Sequence, residues 1–586
     1  MIRKLLLVVI LILLGGTLFL NPNVKTISAG VAILLFGMIM LENGFKAFAK
    51  GPLQKILKNA TNELYKSIPV GAAVTALIQS SSLVSVITIS FISAGLISLA
   101  GGLGLIFGAN IGTTATAWLV AGFGLKVKIS ALAMPMLIFG IIFSFQKKKS
   151  LKGIGNILAG LGFFFLGIHF MKEGFDVFKD YIDLSQYAVS GFLGVILYCF
   201  LGILITTILQ SSSATLALIL TGLAAGQIEY ENALALAIGA NIGTTITAIL
   251  GSLSANVAGK RLAGGHLVFN FVTGVVALVF IYPLVNFVDY FSSLLGIGAT
   301  DFVLKLAMFH TIFNVIGVLI MIPFVKLLEK GLMKVFKDKQ NRDVDEPKFL
   351  NKSVLKFPAS ILSALLNESK YLYENAIFEI VTHALNLHRE DIKSDFKIKK
   401  IIKISTEDLK TDVGALYYTK VKKIYGEIIR YATKGQSELS LTEDETDHIL
   451  EIKIANRKMV EIIKDIQDLS KNVTGYLTSE NNHIRKEYDK FRKKMVKVLR
   501  VIYLVRTEEN PEQYYKTLLK LKGQAKIGVH QSNESIDDLI RKNKITVYMA
   551  SSLVNDNGNI NDIIKKLIDI AELLYAEKDS LLENSK

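Results

Sequence analysis

Two short polar motifs occur twice in this chain, each time in the same order. QSSS lies at 79–82 and again at 210–213, and GANIGTT lies at 108–114 and again at 239–245. Amide and hydroxyl groups donate hydrogen bonds to oxyanions, and their oxygens are ligands that hard cations accept. The candidate binding residues are the polar side chains of these motifs: Gln79, Ser80, Ser81, Ser82, Gln210, Ser211, Ser212, Ser213, Asn110, Thr113, Thr114, Asn241, Thr244 and Thr245.

Almost no charge surrounds these motifs in the sequence. Residues 67–125 and 184–228 contain no Lys, Arg, Asp or Glu, so we expect a site without fixed charge. Three consecutive hydroxyls after an amide cannot all face one side of a helix, so we expect the backbone to open at each QSSS. The half-helix ends exposed there would suit an anion at an N-terminal end and a cation at a C-terminal end. The alternative is that the serines only join packed helices, and two copies at equal spacing argue against it.

The charged residues divide the chain near residue 350. Of 66 Lys and Arg and 50 Asp and Glu, 40 and 35 fall in residues 351–586. The part before them contains repeated apolar runs of about 18 residues or more, long enough to cross a bilayer as helices. We therefore predict an all-α, polytopic membrane protein with a soluble helical bundle at its C-terminal end. The net charge is +16, but no basic arm with interleaved aromatic residues occurs, and the charges alternate in sign through the C-terminal part. No nucleic-acid partner is therefore expected.

The apolar pattern predicts eight membrane crossings. They lie at roughly 5–21, 27–43, 101–121, 128–145, 153–171, 232–251, 262–284 and 302–325. The two stretches that carry QSSS, 69–98 and 190–226, are predicted to be re-entrant hairpins or broken helices, each made of two half-membrane segments. Segment 34–48 resembles segment 164–178, so each repeat is about 120 residues long. An odd number of crossings in each repeat would insert the second copy upside down, as an inverted repeat.

These patterns predict six segments and one orientation. The segments are 1–27, an N-terminal transmembrane helix; 28–145, the first repeat; 153–284, the inverted second repeat; 302–325, an additional transmembrane helix; 326–350, a linker; and 351–586, a cytoplasmic helical domain. Short loops rich in Lys, such as 146–152, are enriched on the cytoplasmic side of membranes. We therefore expect a multi-pass protein of the cell membrane with both termini in the cytoplasm.

Two further patterns suggest weaker sites. Glu461, Asp465 and Asp468 fall on one face of a helix, where a solvated acidic stripe is the default interpretation and a divalent-metal site the alternative. An HxxFN pattern occurs at 266–270 and at 310–314, where we expect packing or hydrogen bonding between helices. No nucleophile elbow accompanies it, so the sequence predicts no enzyme activity and no organic cofactor.

The lack of Lys and Arg near the motifs bears on how an anion would be neutralised. An unpaired charge in an apolar interior costs several kcal/mol, so a bound dianion needs accompanying cations. Oxygen ligands from Ser, Thr, Asn and the backbone suit Na⁺. The sequence therefore predicts that Na⁺ accompanies the anion at the same motifs, with more than one Na⁺ for each divalent anion.

The paired motifs resemble those of a known family. Two QSSS motifs, each followed by GANIGTT, together with FHTIFNVIGVLIMIPF at 309–324, resemble the type II sodium-phosphate cotransporter family over about residues 28–326. The resemblance implies symport of inorganic phosphate with Na⁺ by alternating access, with both bound at 79–82 and 210–213. A phosphate sensor and a carrier of another oxyanion are the alternatives that the residues leave open.

The C-terminal part has its own resemblance. DLSKN at 468–472 and the segment 551–574 are similar to PhoU-like domains, which implies a cytoplasmic regulatory role. The acidic metal-binding pattern of such domains is incomplete in this sequence. The oligomeric state is left open, with a homodimer among the arrangements that the sequence permits.

Overall fold

The computed structural model describes residues 15–16, 18–49, 63–125, 129–179, 186, 188–337, 345–406, 409, 411–508 and 511–575. The chain divides into two compact units, Met1–Asp338 and Lys339–Lys586. Within the described residues every regular element is helical, and seven stretches are long and apolar enough to cross a membrane. These stretches are Val24–Phe45, Leu99–Gly124, Ser150–Lys179, Gly191–Leu209, Tyr230–Ser252, Val257–Val279 and Phe302–Val335. The prediction of an all-α, polytopic membrane protein is confirmed.

The first unit consists of helices joined by short turns. In chain order they are α1 Pro22–Ala49, α2 Leu64–Ile78, α3 Ser81–Ser93, α4 Leu99–Trp118, α5 Ile129–Ser144, α6 Lys149–Lys179, α7 Gly191–Leu209, α8 Ser212–Ala224, α9 Tyr230–Gly243, α10 Thr245–Ser252, α11 Val257–Val279, α12 Ile281–Leu294, α13 Phe302–Met321 and α14 Val325–Val335. A π-helical turn, Leu119–Gly124, extends α4.

Among the described residues, the seven stretches of spanning length do not coincide in every case with the predicted crossings. The predicted crossing at 5–21 lies largely outside the described residues. The one predicted at 128–145 is α5, an apolar helix of 16 residues, and it does not reach spanning length. The predicted linker 326–350 begins with α14, so its first turns are helical rather than extended. Apolar composition located these segments, but their helical lengths depend on where neighbouring helices and turns end them.

Helices α1 and α6 come from equivalent places in the two repeats and pack against each other antiparallel. A Cβ added at Gly37 would lie 2.5 Å from the backbone nitrogen of Phe164, and one added at Gly167 would lie 2.5 Å from that of Leu34. Adding 130 to Gly37 and Leu34 gives Gly167 and Phe164, so the two contacts are the same contact with the halves exchanged. This exchange is the pseudo-twofold relation that an inverted repeat requires.

Each repeat also contains a parallel pair of helices with a short helix running back between them in sequence. A Cβ at Gly108 on α4 would lie 2.0 Å from the carbonyl oxygen of Ile68 on α2, and one at Gly239 on α9 would lie 2.0 Å from that of Cys199 on α7. Such close approach is possible only for glycine. The glycines of GANIGTT therefore serve helix packing, which leaves the polar residues of the motif for other contacts.

The two broken segments differ in length, contrary to the prediction of two half-membrane helices in each. In the first, α2 has 15 residues and α3 has 13. In the second, α7 has 19 residues and is long and apolar enough to cross the membrane, whereas α8 is short at 13 residues. The first segment matches the predicted hairpin of half-length helices, and the second is a full-length helix followed by a half-length one.

The second unit is a bundle of long amphipathic helices. Its helices are α15 Pro358–Leu372, α16 Phe378–Ala384, α17 Arg389–Lys393, α18 Ile398–Ile404, α19 Val413–Leu416, α20 Lys422–Glu438, α21 Glu443–Leu477, α22 Asn482–Thr507, α23 Glu512–Arg541 and α24 Val547–Tyr575. The longest, α21, begins at a capping box in which Thr442 and Glu445 each bond to the other's backbone N–H. Its apolar stripe, which includes Met459 and Ile466, is buried as the helical period predicts.

Buried carboxylates organise two places in this bundle. Glu368 is fully buried and accepts hydrogen bonds from the backbone N–H groups of three consecutive residues, Lys348, Phe349 and Leu350. Asp556 on α24 accepts one from the Tyr488 hydroxyl, with an O–O distance of 2.6 Å, and the Asn472 amide also donates to it. The Glu368 bonds attach the segment before α15 to that helix, and the Asp556 bonds join α21, α22 and α24. Burying either carboxylate without hydrogen bonds would destabilise the fold.

Candidate functional site

Both QSSS motifs lie where a helix stops and the next begins. Gln79 ends α2 with φ 57° and ψ 27°, and Gln210 ends α7 with φ 53° and ψ 24°. The left-handed region is uncommon for residues other than glycine. Each backbone N–H closes the preceding helix by donating to a threonine carbonyl, Thr75 for the first and Thr206 for the second. The same strained conformation at the same motif position marks the opening of the backbone as a repeated feature of the fold.

The serine that follows each glutamine caps the next helix. Ser80 is extended and its hydroxyl accepts from the Leu83 N–H at 3.3 Å; Ser211 does the same for the Ala214 N–H at 3.2 Å. Helices α3 and α8 therefore begin inside the apolar unit. The second residue of each QSSS is the cap, and the third is the first residue of the helix. A helix N-terminus carries unpaired N–H groups and a partial positive charge, both of which favour an anion.

A single threonine joins the two motifs. The Thr116 hydroxyl, on α4, donates to the Gln79 side-chain oxygen at 2.8 Å and lies 3.2 Å from the Ser213 hydroxyl. The first and second QSSS are therefore two hydrogen bonds apart, although they are distant in sequence. The structure thus brings together the two halves of the predicted site.

Thr116 was not among the predicted residues, yet the sequence held a signal for it. GANIGTT is followed in both copies by any residue and a further threonine, giving GANIGTTAT and GANIGTTIT. In the second copy that residue is Thr247, whose hydroxyl donates to the carbonyl of Thr244 within its own helix. The repeated motif is therefore GANIGTTxT, two residues longer than GANIGTT.

The threonines of GANIGTT bond to their own helices. Thr113 donates to Ala109 and Thr114 to Ile111, each through its hydroxyl to a backbone oxygen. Thr244 and Thr245 make the equivalent bonds in the second copy. All four are buried. Because each hydroxyl donates backward, its lone pairs remain available to accept or to coordinate a cation.

Asn110 and Asn241 occupy equivalent positions but have different partners. The Asn110 amide donates to the carbonyl of Ile106 in its own helix. The Asn241 amide donates to Asn314 at 2.8 Å, and its oxygen lies 3.1 Å from Nε2 of His310. The second HxxFN pattern therefore does form hydrogen bonds between helices, as the sequence predicted.

The first HxxFN pattern is buried without the matching bonds. Asn270 and His266 are almost inaccessible to solvent. Both polar atoms of the Asn270 side chain, and Nδ1 of His266, have no hydrogen-bond partner within the part of the chain that the structure describes. The two HxxFN patterns therefore share a sequence but differ in their hydrogen bonds.

One charged group reaches the first motif, contrary to the expectation of a site without fixed charge. Ser80 donates to a carboxylate oxygen of Glu42 at 3.2 Å, and its hydroxyl is also 3.3 Å from that of Ser82. Glu42 lies on α1, outside the charge-free stretch 67–125. The expectation was wrong because it counted charge along the chain, whereas helix packing brings this carboxylate from another helix.

The predicted metal-binding acids of the second unit are paired with cationic side chains. Asp465 is 2.6 Å from Lys566, and Glu461 is 3.2 Å from Arg457 and 3.8 Å from the same Lys566. Asp468 is exposed beside Lys471. Within the described residues no group of three or more metal-ligating side chains comes together. Lysine and arginine pair with these carboxylates in this arrangement, which favours the solvated acidic stripe, and the divalent-metal site stays a prediction.

The first unit matches known proteins over most of its length. Residues 33–173 and 192–308 match the family model described as Na⁺/Pi-cotransporter. The protein named "Putative inorganic phosphate export protein YjbB" is 29% identical over 343 residues in Salmonella typhimurium (strain LT2) and over 344 residues in Escherichia coli (strain K12). Each match covers 58% of this chain and 61% of the relative, so the chain spans about three fifths of the length of these relatives.

A shorter relative is matched along nearly its whole length. "Uncharacterized protein YqeW" from Bacillus subtilis (strain 168) is 29% identical over 310 residues, 51% of this chain and 94% of that protein. No solved structure matches the chain significantly. Both ranges that match the family model lie in the first unit, and the second unit lies outside them.

Proposed function

We propose that the first unit, which matches the Na⁺/Pi-cotransporter family model over residues 33–173 and 192–308, belongs to that family, and that the protein carries inorganic phosphate across the cell membrane together with Na⁺. The family is one of transporters, so no catalytic residue is assigned. The observation that supports the proposal most directly is the Gln79–Thr116–Ser213 link, which brings the two broken helices to one place.

Phosphate is proposed to bind at the N-termini of α3 and α8. Two half-length helices begin at the QSSS motifs, and their first N–H groups and serine hydroxyls supply donors for a tetrahedral oxyanion. Ser212 and Ser213 are buried, whereas Gln210 is exposed and Gln79 is half-buried. The site therefore has a buried floor and an accessible side.

Sodium is proposed to bind at oxygens of the same motifs. Each hydroxyl proton of Thr113, Thr114, Thr244 and Thr245 is donated to a backbone oxygen, so the hydroxyl oxygens keep lone pairs that can coordinate a cation. Hydroxyl, amide and backbone oxygens are the ligands that Na⁺ takes. Cations bound there would offset the charge of the phosphate in an apolar setting.

Efflux of phosphate is a second candidate for the direction of transport. The relatives from Salmonella and Escherichia are named as phosphate export proteins, which favours efflux as a second candidate for this chain. The inverted-repeat architecture supports alternating access from either side, and the gradients of Na⁺ and phosphate would then decide the net flux. The second unit, with its resemblance to PhoU-like domains, is proposed to regulate this flux from the cytoplasm.

Transport by the purified protein tests the proposal. Proteoliposomes are loaded with buffer and given labelled phosphate with an inward Na⁺ gradient, with an inward K⁺ gradient, or with no gradient, and efflux is measured from preloaded vesicles. We expect Na⁺-dependent movement of phosphate that competes with unlabelled phosphate more strongly than with sulfate, and that weakens in Ser81→Ala and Ser212→Ala. Phosphate binding without transport would instead identify a sensor, and unchanged kinetics in both serine variants would overturn the site.

A further inference from the structure

The carboxylate of Glu42 lies where the proposed transport site needs a cation. We propose that Glu42, together with the hydroxyls of Ser80 and Ser82, binds Na⁺ at the first QSSS motif, and that the second motif has no such site. This inference rests on the proposed function for its place in transport, but its contacts are independent of the identity of the anion.

Three oxygen-bearing side chains meet at this point. The Ser80 hydroxyl is 3.2 Å from a Glu42 carboxylate oxygen and 3.3 Å from the Ser82 hydroxyl. They come from two different helices, α1 and the start of α3, with Ser80 as the capping residue between α2 and α3. One carboxylate and two hydroxyls form a hard donor set with a single negative charge, which suits a monovalent cation such as Na⁺.

Two further hydroxyls, one helical turn from the motif along α2 and α3, are unsatisfied among the described residues. Thr75, one turn before Gln79 on α2, and Ser85, one turn after Ser82 on α3, are buried with no hydrogen-bond partner for their hydroxyls among the described residues. Buried polar groups in folded proteins usually have partners, so two orphaned hydroxyls next to one motif point to a bound species.

At the equivalent described positions of the second repeat, the side chains and their partners are different. Thr206, the counterpart of Thr75, donates its hydroxyl to Thr215 at 2.9 Å, and Leu216 stands where Ser85 stands in the first repeat. Ser211, the counterpart of Ser80, has the sulfur of Met38 at 3.9 Å instead of a carboxylate. Among the described residues, this arrangement of oxygen ligands is therefore present at the first QSSS motif and is not repeated at the equivalent positions of the second.

The residue that matches Glu42 in the second repeat is also different in charge. The sequence displaced by 130 residues carries Lys172 at that position. A cation bound at the Glu42 carboxylate would attract an anion at the adjacent N-terminus of α3. We therefore expect Na⁺ to bind at Glu42 before phosphate, and phosphate affinity to depend on this ion.

The only tryptophan in the chain provides a readout that needs no transport. Trp118 follows the bridging Thr116 by two residues on α4, and its indole N–H donates to Thr311 at 2.9 Å. Binding at the first motif can thus be followed by Trp118 fluorescence in purified protein, in the absence of phosphate.

The experiment compares wild type, Glu42→Gln, Glu42→Asp and Glu173→Gln in two assays. Glu173 is exposed on α6, on the turn that matches Glu42 in the second repeat, and serves as the matched control. Na⁺ is titrated with constant ionic strength, first against Trp118 fluorescence and then against phosphate transport. For Glu42→Gln we expect the half-saturating Na⁺ concentration to rise about tenfold or more in both assays, because the site loses its charged ligand. Glu42→Asp should fall between, and Glu173→Gln should stay within about twofold of wild type.

Each outcome decides the inference. A folded Glu42→Gln protein with the Na⁺ dependence of wild type would overturn the inference. A Glu42-dependent change in fluorescence that follows pH and not Na⁺ would also overturn it. If Glu42→Gln does not fold, Glu42→Asp with unchanged Na⁺ dependence has the same meaning. If the wild type shows Na⁺-dependent fluorescence that requires Glu42 but carries no phosphate, the proposed function fails while the cation site stands.

Discussion

The hydroxyls of Thr116 and Ser213, which lie in different repeats, approach to 3.2 Å. Because Thr116 also donates to Gln79, this contact places the break in one half of the membrane unit beside the start of α8 in the other. The two repeats thus meet through hydrogen bonds between polar side chains inside an otherwise apolar unit. A hydrogen bond is electrostatically stronger in such surroundings than in water.

Removing the Thr116 hydroxyl should weaken the site without unfolding the unit. Thr116→Val keeps the shape of the side chain but leaves Gln79 without its donor, and an unsatisfied buried group costs about 1–3 kcal/mol. We expect the phosphate concentration for half-maximal transport to rise about tenfold at saturating Na⁺. Thr116→Ser retains the hydroxyl and should remain near wild type. Equal losses in both variants would show that the methyl group, rather than the hydrogen bond, matters.

The glycines between α1 and α6 should be intolerant of even one added carbon. In Gly37→Ala the new Cβ would lie 2.5 Å from the backbone nitrogen of Phe164, so the two helices must separate. We expect a loss of about 1–3 kcal/mol, measured as a lower unfolding temperature of the detergent-solubilised protein. Gly122→Ala, which meets nothing within 4 Å, is the control. A Gly37→Ala protein as stable as this control would contradict the packing of α1 on α6.

Glu368 should hold the segment before α15 in place. In Glu368→Gln at least one of the three backbone N–H groups of Lys348, Phe349 and Leu350 loses its carboxylate acceptor. We expect amide hydrogen exchange of these residues to quicken about tenfold or more, the equivalent of about 1.4 kcal/mol. Glu390→Gln changes an exposed carboxylate in the same bundle and should leave their exchange unaltered. Unchanged exchange in Glu368→Gln would mean that other contacts fix the segment.

The stability of the bundle around Asp556 should increase as pH falls. Burial raises the pKa of Asp556 above its ordinary value, although hydrogen bonds from Tyr488 and Asn472 oppose the shift. The folded state therefore holds a proton more readily than the unfolded chain, so its free energy of unfolding rises as pH falls through the folded pKa. This gain stops below the ordinary aspartate pKa of 3.8, where both states are protonated.

Native-state hydrogen exchange of α24 measures this effect once the rates are corrected for intrinsic exchange. As pH falls from neutral toward 3.8, we expect wild type to gain stability relative to Asp556→Asn, by at most about 1.4 kcal/mol for each pH unit. Parallel pH profiles for the two proteins would show that Asp556 does not titrate in this range.

Much of the architecture could be predicted from the chain because it depends on local composition and repetition. The apolar runs indicated the membrane helices, and the helical period indicated the buried stripe of α21, since both follow from which residues avoid water. The duplicated QSSS indicated where the backbone would open, and Gln79 and Gln210 do adopt the same left-handed conformation. Such properties depend on a few neighbouring residues and can therefore be predicted from the sequence.

The composition of the site was decided by contacts between distant helices. No local pattern pairs Thr116 with Ser213 or sends Glu42 to Ser80, because those distances depend on how α1, α4 and α8 pack. The same is true of Lys566, which neutralises Asp465 from another helix. The sequence by itself determined that two related polar breaks exist within an apolar unit. Only the tertiary structure decided which charges surround them, because electrostatic energy depends on distance in space and not on separation along the chain.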